Sequence, residues 1–137
     1  MNFLNIDLEV RSRQKLDAIV DALGDRVLVL HHSRVRGASF LAIETHSRRQ
    51  NEAHGVVFRR WLALIGTLRG EPRRVLRAAR VVASIGVEQE DERATSVVID
   101  PEHVRALGRL GIAIEVVVYR AEKKVRTRSA AARGVRS

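Results

Sequence analysis

The chain has no cysteine, which removes disulfides, thiolate metal ligands and cysteine nucleophiles from consideration. Aromatic residues are scarce: Phe3, Phe40, Phe58, Trp61 and Tyr119 are the full set. Surfaces that read single-stranded nucleic acid stack bases on aromatic rings, and the expected strands carry no paired aromatics for that purpose. Lysine is nearly missing as well. Lys15, Lys123 and Lys124 stand among 25 basic residues, and so strong an arginine bias arises from a GC-rich genome as readily as from selection for phosphate binding. No apolar run approaches the roughly 20 residues of a membrane-spanning helix. The opening MNFLNIDLEV lacks the basic lead and long apolar stretch of a signal peptide. These features predict a cytoplasmic protein with no membrane partner.

What is present fits one globular domain. The 137 residues are 45% apolar and 30% charged, enough to bury a core without covalent staples. The net charge of +9 is unevenly placed. Residues 121–137 hold Lys123, Lys124, Arg126, Arg128, Arg133 and Arg136 against Glu122 alone, so +5 of the excess lies there and +4 in residues 1–120. The expected organisation is a single domain over 1–120 followed by a basic, disordered tail over 121–137.

Along the chain, Leu4, Ile6, Leu8 and Val10 alternate with Asn5, Asp7, Glu9 and Arg11, the pattern of a strand with one wet face. Ser12 is placed to cap a helix lined by Leu16, Ile19, Val20 and Leu23 and closed by Gly24. A strand beginning at Val27, a polar turn around 33–37 and a strand over 39–45 predict an antiparallel hairpin. Val57, Trp61, Leu64 and Leu68 share one helical face, so a helix is expected over about 52–68 and a shorter one over about 72–80. Alternation over 81–87, the acidic turn 88–92 and a further strand over 95–99 follow. The last unit is well punctuated: Asp100 as cap, Pro101 at the first helical position, Gly111 as terminator, then the apolar run 112–119, read as a central strand. The predicted order is β-α-β-β-α-α-β-β-α-β. This is an α+β fold with a mainly antiparallel or mixed sheet of about six strands, helices on one face, and Asn5, Asp7, Glu9, Glu44 and Glu115 pointing away from the core.

Residue types that carry chemistry do not fall into a catalytic pattern. His31 and His32 are adjacent on a strand and point to opposite faces. His46, His54 and His103 form no i, i+4 zinc pair, so no metal site and no cofactor are expected. No G-x-S-x-G elbow or glycine-rich phosphate loop occurs, and no catalytic residue is assigned. The acidic run lacks the spacing and glycine of a calcium loop and reads as a solvated turn. The strongest surface signal is basic. Arg73, Arg77 and Arg80 recur at i, i+4 and i+7 of the short helix with Arg74 beside them, a candidate anion or partner surface.

The unit Ile99-Asp100-Pro101-Glu102, with Val104, Leu107, Leu110-Gly111 and the strand Ile112 to Tyr119, resembles a family of small bacterial proteins catalogued as a domain of unknown function, number four-two-seven-nine. The resemblance covers about a quarter of the chain. It implies an α+β fold and a bacterial source, and it brings no catalytic residue with it.

The expectation is therefore a non-enzymatic bacterial protein that binds another protein, as an immunity-type or accessory protein does. Two further readings stay open: a nucleic-acid-binding domain that uses the arginine-rich helix and basic tail, and a small-molecule sensor or hydrolase.

Overall fold

A computed structural model describes residues 2–46, 53–89, 94 and 96–120. The elements are β1 (Asn2–Ser12), α1 (Asp17–Leu23), a short 3-10 turn (Gly24–Arg26), β2 (Val27–Val35), β3 (Ala38–Thr45), α2 (His54–Gly66), α3 (Glu71–Ala78), β4 (Arg80–Gln89), α4 (Pro101–Arg109) and β5 (Ile112–Arg120). They form an α+β fold in which one mixed sheet, ordered β2-β3-β1-β4-β5, carries the helices on a single face. Every pairing is antiparallel except β4 with β5, which are parallel and joined through α4. Among the described residues no helix is long and apolar enough to cross a membrane.

The period-two pattern of β1 explains its central place. Ile6, Leu8 and Val10 project into the core between Leu41 and Ile43 of β3 and Val81, Ala83 and Ile85 of β4. The helices close over them with Ile19 and Leu23 from α1, Val57, Phe58, Trp61 and Ile65 from α2, Val75 and Leu76 from α3, and Leu107 from α4. Trp61 is wholly interior, and its indole N–H donates to the backbone carbonyl of Ile6 at 2.9 Å. That bond satisfies a polar ring nitrogen among apolar neighbours and fixes α2 against the central strand.

Junction chemistry follows the residues. The hairpin loop is Arg36–Gly37, and φ is positive at both, 52° and 76°, as a two-residue type I′ turn requires. The turn is therefore narrower than the expected 33–37, and β2 runs on to Val35. At the end of α1, Arg26 donates to the carbonyls of Ala22 at 2.8 Å and Leu23 at 3.2 Å, and reaches Thr67 beyond α2 at 3.4 Å. A cation at a helix C-terminus satisfies its last carbonyls and complements its dipole.

Several expectations are corrected. Among the described residues the sheet has five strands, because 96–100 has no regular structure where a strand was expected from 95; position 95 itself lies outside the described residues. Val97 and Ile99 pack against the core without a ladder, so burial rather than pairing explains their apolar pattern. β5 is an edge strand and not a central one: Ile112 and Ile114 meet the helix layer, while Val116 and Val118 are exposed. Ser12 ends β1, and its hydroxyl accepts from the Gln14 N–H at 3.0 Å, capping a turn and not α1. Asp100 holds the N-cap position of α4 but makes no side-chain cap bond. The acidic turn falls mostly, and the tail 121–137 wholly, outside the described residues.

Candidate functional site

With the helices on one side, the other face of the sheet is left to its outward residues, and strand register decides what they bring together. Leu28 stands opposite Glu44, Glu44 opposite Asp7, Asp7 opposite Ser84, and Ser84 opposite Glu115. One residue from each of the five strands thus forms a single transverse row, with the carboxylates of Glu44 and Asp7 adjacent in its middle and that of Glu115 at its β5 end. The sequence expectation that Asn5, Asp7, Glu9, Glu44 and Glu115 turn away from the core holds. The convergence of Glu44, Asp7, Ser84 and Glu115 was not legible, because it depends on the order and register of four strands.

Hydrogen bonds organise the row. The Ser84 hydroxyl donates to Glu115 Oε1 at 2.9 Å. The Asn5 amide donates to Glu44 Oε2 at 3.0 Å, while its carbonyl oxygen accepts from the Ile6 N–H at 2.8 Å. Asp7 is the anomaly, since its Oδ1 is buried without a hydrogen-bond partner. Burial above all, then the charge of Glu44, a hydrogen bond with Glu44, and the charge of Glu9 push the Asp7 carboxyl up to about 6. The row therefore sheds one of its protons only as the pH approaches neutrality.

Its surroundings are apolar at one end and basic at the other. Tyr119 lies over Gly86, where a Cβ would stand 3.5 Å from the ring and 3.7 Å from the Leu4 Cβ; Leu4 and Tyr119 are each about half exposed, at 51% and 53%. At the opposite end, Arg11 sits 4.4 Å above the ring of Phe40, which His31 also approaches at 5.3 Å.

The arginines singled out from the sequence are split between the two sides of the molecule. Arg73, Arg74 and Arg77 lie on α3, but Arg80 is the first residue of β4, paired opposite Arg11 on the sheet face away from the helices. The i+7 alignment fails because the helix stops at Ala78. Arg74 approaches Glu71 at 3.9 Å, an exposed contact of little energetic weight. Arg73 and Arg77 line a cavity of about 340 Å³ together with Leu76, Arg109, Leu110 and Ile112. Arg109, on α4, joins this basic rim through tertiary packing that sequence spacing does not show.

The histidines are placed separately. His31 bonds to Ser33 at 2.9 Å on the outer face, and His32 meets Asp17 at 3.3 Å on the helix side. His46 bonds to the Asp25 carbonyl at 2.8 Å, and His54 to the Val98 carbonyl at 2.6 Å. His103 is interior, and neither ring nitrogen has a hydrogen-bond partner.

In chemical terms the row supplies a proton-sharing carboxyl pair, Asp7 with Glu44, and a hydroxyl committed to a third carboxylate. A serine bonded to Glu115 without an imidazole base is not an activated nucleophile. The face instead combines three carboxylates, apolar lips and an arginine-bearing end. Comparison with protein-family models, with curated proteins and with solved structures found no match for the chain.

Proposed function

We propose that this chain is a non-enzymatic binding protein that engages another protein through the outer face of its sheet, as an immunity-type or accessory protein of a bacterial cytoplasm would. One observation carries the reading: the transverse row Glu44-Asp7-Ser84-Glu115 lies on the face away from the helices, between exposed apolar residues at Leu4, Leu28 and Tyr119. An antiparallel sheet can leave one face to solvent, and exposed apolar residues rimmed by polar groups on such a face are the feature that marks interaction sites. The resemblance of the 99–119 unit to the small bacterial family supports the bacterial assignment. A partner with a basic, arginine- or lysine-bearing surface complements the carboxylates. Immobilised protein exposed to extract of the source organism should retain one dominant protein at physiological salt; retention of none counts against the proposal.

A second reading is kept by the α3 surface. Arg73, Arg77 and Arg109 surround one cavity, and among the described residues none of them has an ion-pair partner. Nucleic-acid binding there predicts affinity that falls steeply with salt and drops when Arg73 and Arg77 become glutamine. A flat salt response removes this reading.

A further inference from the structure

The start of α4 holds a polar cluster that neither the fold nor the outer sheet face accounts for. His103 is 3% exposed, and its ring stacks on Phe58 with centroids 5.6 Å apart and planes at 29°. The ring also approaches Gly55, where a Cβ would stand 3.7 Å from Cε1. Both ring nitrogens are buried without a hydrogen-bond partner. A buried imidazole ordinarily donates from one nitrogen and accepts at the other, so leaving both unpaired is costly. The carboxylate of Glu102 reaches Nε2 at 3.8 Å, too far for a hydrogen bond. Asp100 is equally unusual: it occupies the N-cap but leaves the helix N–H groups uncapped by its side chain, although aspartate is among the strongest capping residues. Its backbone carbonyl alone accepts from His103 N at 2.9 Å and Val104 N at 3.1 Å.

These oddities share one location. A ligand atom from each of Asp100, Glu102 and His103 lies within 4.8 Å of the others. We infer that these three side chains form a site for a first-row divalent transition-metal ion, zinc being the reference case. The inference is independent of the proposed binding face. One imidazole nitrogen with two carboxylates is a borderline-soft donor set suited to zinc, cobalt or manganese, whereas calcium and magnesium favour oxygen alone. An ion bridging the three groups would satisfy one of the two orphaned imidazole nitrogens and occupy the carboxylate that does not cap. The positive end of the α4 dipole opposes a cation here, so both carboxylates are needed to offset it. Three protein ligands leave at least one coordination position for water or a donor from a partner. The site also has a structural consequence. The 96–100 segment is tied to the start of α2 by the His54 bond to the Val98 carbonyl, and an ion held by Asp100 would clip the same segment to α4.

The test uses the full chain, with its imidazoles observed by long-range proton–nitrogen NMR and its zinc affinity measured by calorimetry. One equivalent of zinc should move the His103 nitrogen resonances and raise the melting temperature, while calcium and magnesium leave both unchanged. Asp100→Asn and Glu102→Gln alter exposed side chains and should keep the metal-free melting temperature near that of the wild type. Each should weaken zinc binding by at least about tenfold. Zinc that leaves the His103 resonances unmoved, or that binds both variants as tightly as the wild type, overturns the site and assigns any uptake to the other histidines.

Discussion

Asp7 and Glu44 face each other across the pairing of β1 with β3, with their carboxyl groups sharing a hydrogen bond and Asp7 Oδ1 buried beside them. Like charges directly opposite in an antiparallel pair are destabilising, so the sheet tolerates this arrangement best while one carboxyl keeps its proton. The Asp7 carboxyl, raised from 3.8 to about 6, keeps its proton in the folded chain at a pH where the unfolded chain has lost it. The sign follows from linkage. This contribution to stability is fully present below about pH 4 and is lost as the pH rises through about 6. Asp7→Asn should therefore stabilise the protein at pH 7.5 by about 1 kcal/mol, solvent contact reducing the full linkage value. The gain should disappear by pH 4. Urea unfolding of both proteins at the two pH values checks this, and a gain that grows on acidification contradicts it.

The indole of Trp61 serves the fold in two ways, through its buried volume and through its bond to the Ile6 carbonyl. Trp61→Ala should cost about 3–5 kcal/mol. Trp61→Phe retains most of the volume but leaves the carbonyl without its donor, and should cost about 1–2 kcal/mol. Equilibrium denaturation separates the two terms.

Backbone geometry makes two opposite predictions. Arg36 holds φ at 52° in the hairpin loop, a conformation that asparagine adopts more readily. Arg36→Asn creates the favoured Asn-Gly turn and should stabilise by about 0.5 kcal/mol or more. Gly111 has φ of 72° with open space around its Cα, so Gly111→Ala should destabilise by about 1–2 kcal/mol through backbone strain alone. Thermal unfolding reads both.

The division of the arginines between two sides can be tested directly. If α3 holds anions, Arg73→Gln with Arg77→Gln should weaken retention on an immobilised polyanion such as heparin, and Arg109→Gln should add to the loss. Arg80→Gln should have a smaller effect, because its side chain stands on the other face of the sheet. Equal effects from Arg77 and Arg80 would restore the single-stripe picture.

How much of this was readable beforehand depended on whether a property was local. The alternation over 5–11 and the glycines at 24 and 111 are set by near neighbours and took the predicted form. In contrast, a register shift between Phe3 and Asn5 leaves Leu4 exposed, and α2 ends at Gly66, short of Leu68, with Phe58 and Ile65 buried beside Val57 and Trp61. Arg80 was misplaced because extending a helical period by two residues looks harmless in a sequence, yet the backbone at Ala79 is already extended. The run 112–119 looked central because an edge strand in a parallel pair can be just as apolar as an inner one. Of the candidate face, the wet residues were identified individually, but not that Asp7 would stand between Glu44 and Ser84. That placement results from which strands pair and at what offset, information spread over residues 7 to 115. Asp100 was read only as a cap and no carboxylate was set beside His103, because the burial of His103 without a hydrogen-bond partner depends on tertiary packing.

The central claim is that recognition uses the outer face of the sheet, and charge reversal on that face tests it most directly. Glu44→Lys and Glu115→Lys would be combined in one immobilised protein and compared with the wild type and with the Arg73→Gln, Arg77→Gln protein, each first shown by circular dichroism to be folded. The account predicts that the dominant captured protein is lost from the carboxylate variant and retained by the arginine variant. Undiminished capture by the carboxylate variant would contradict it.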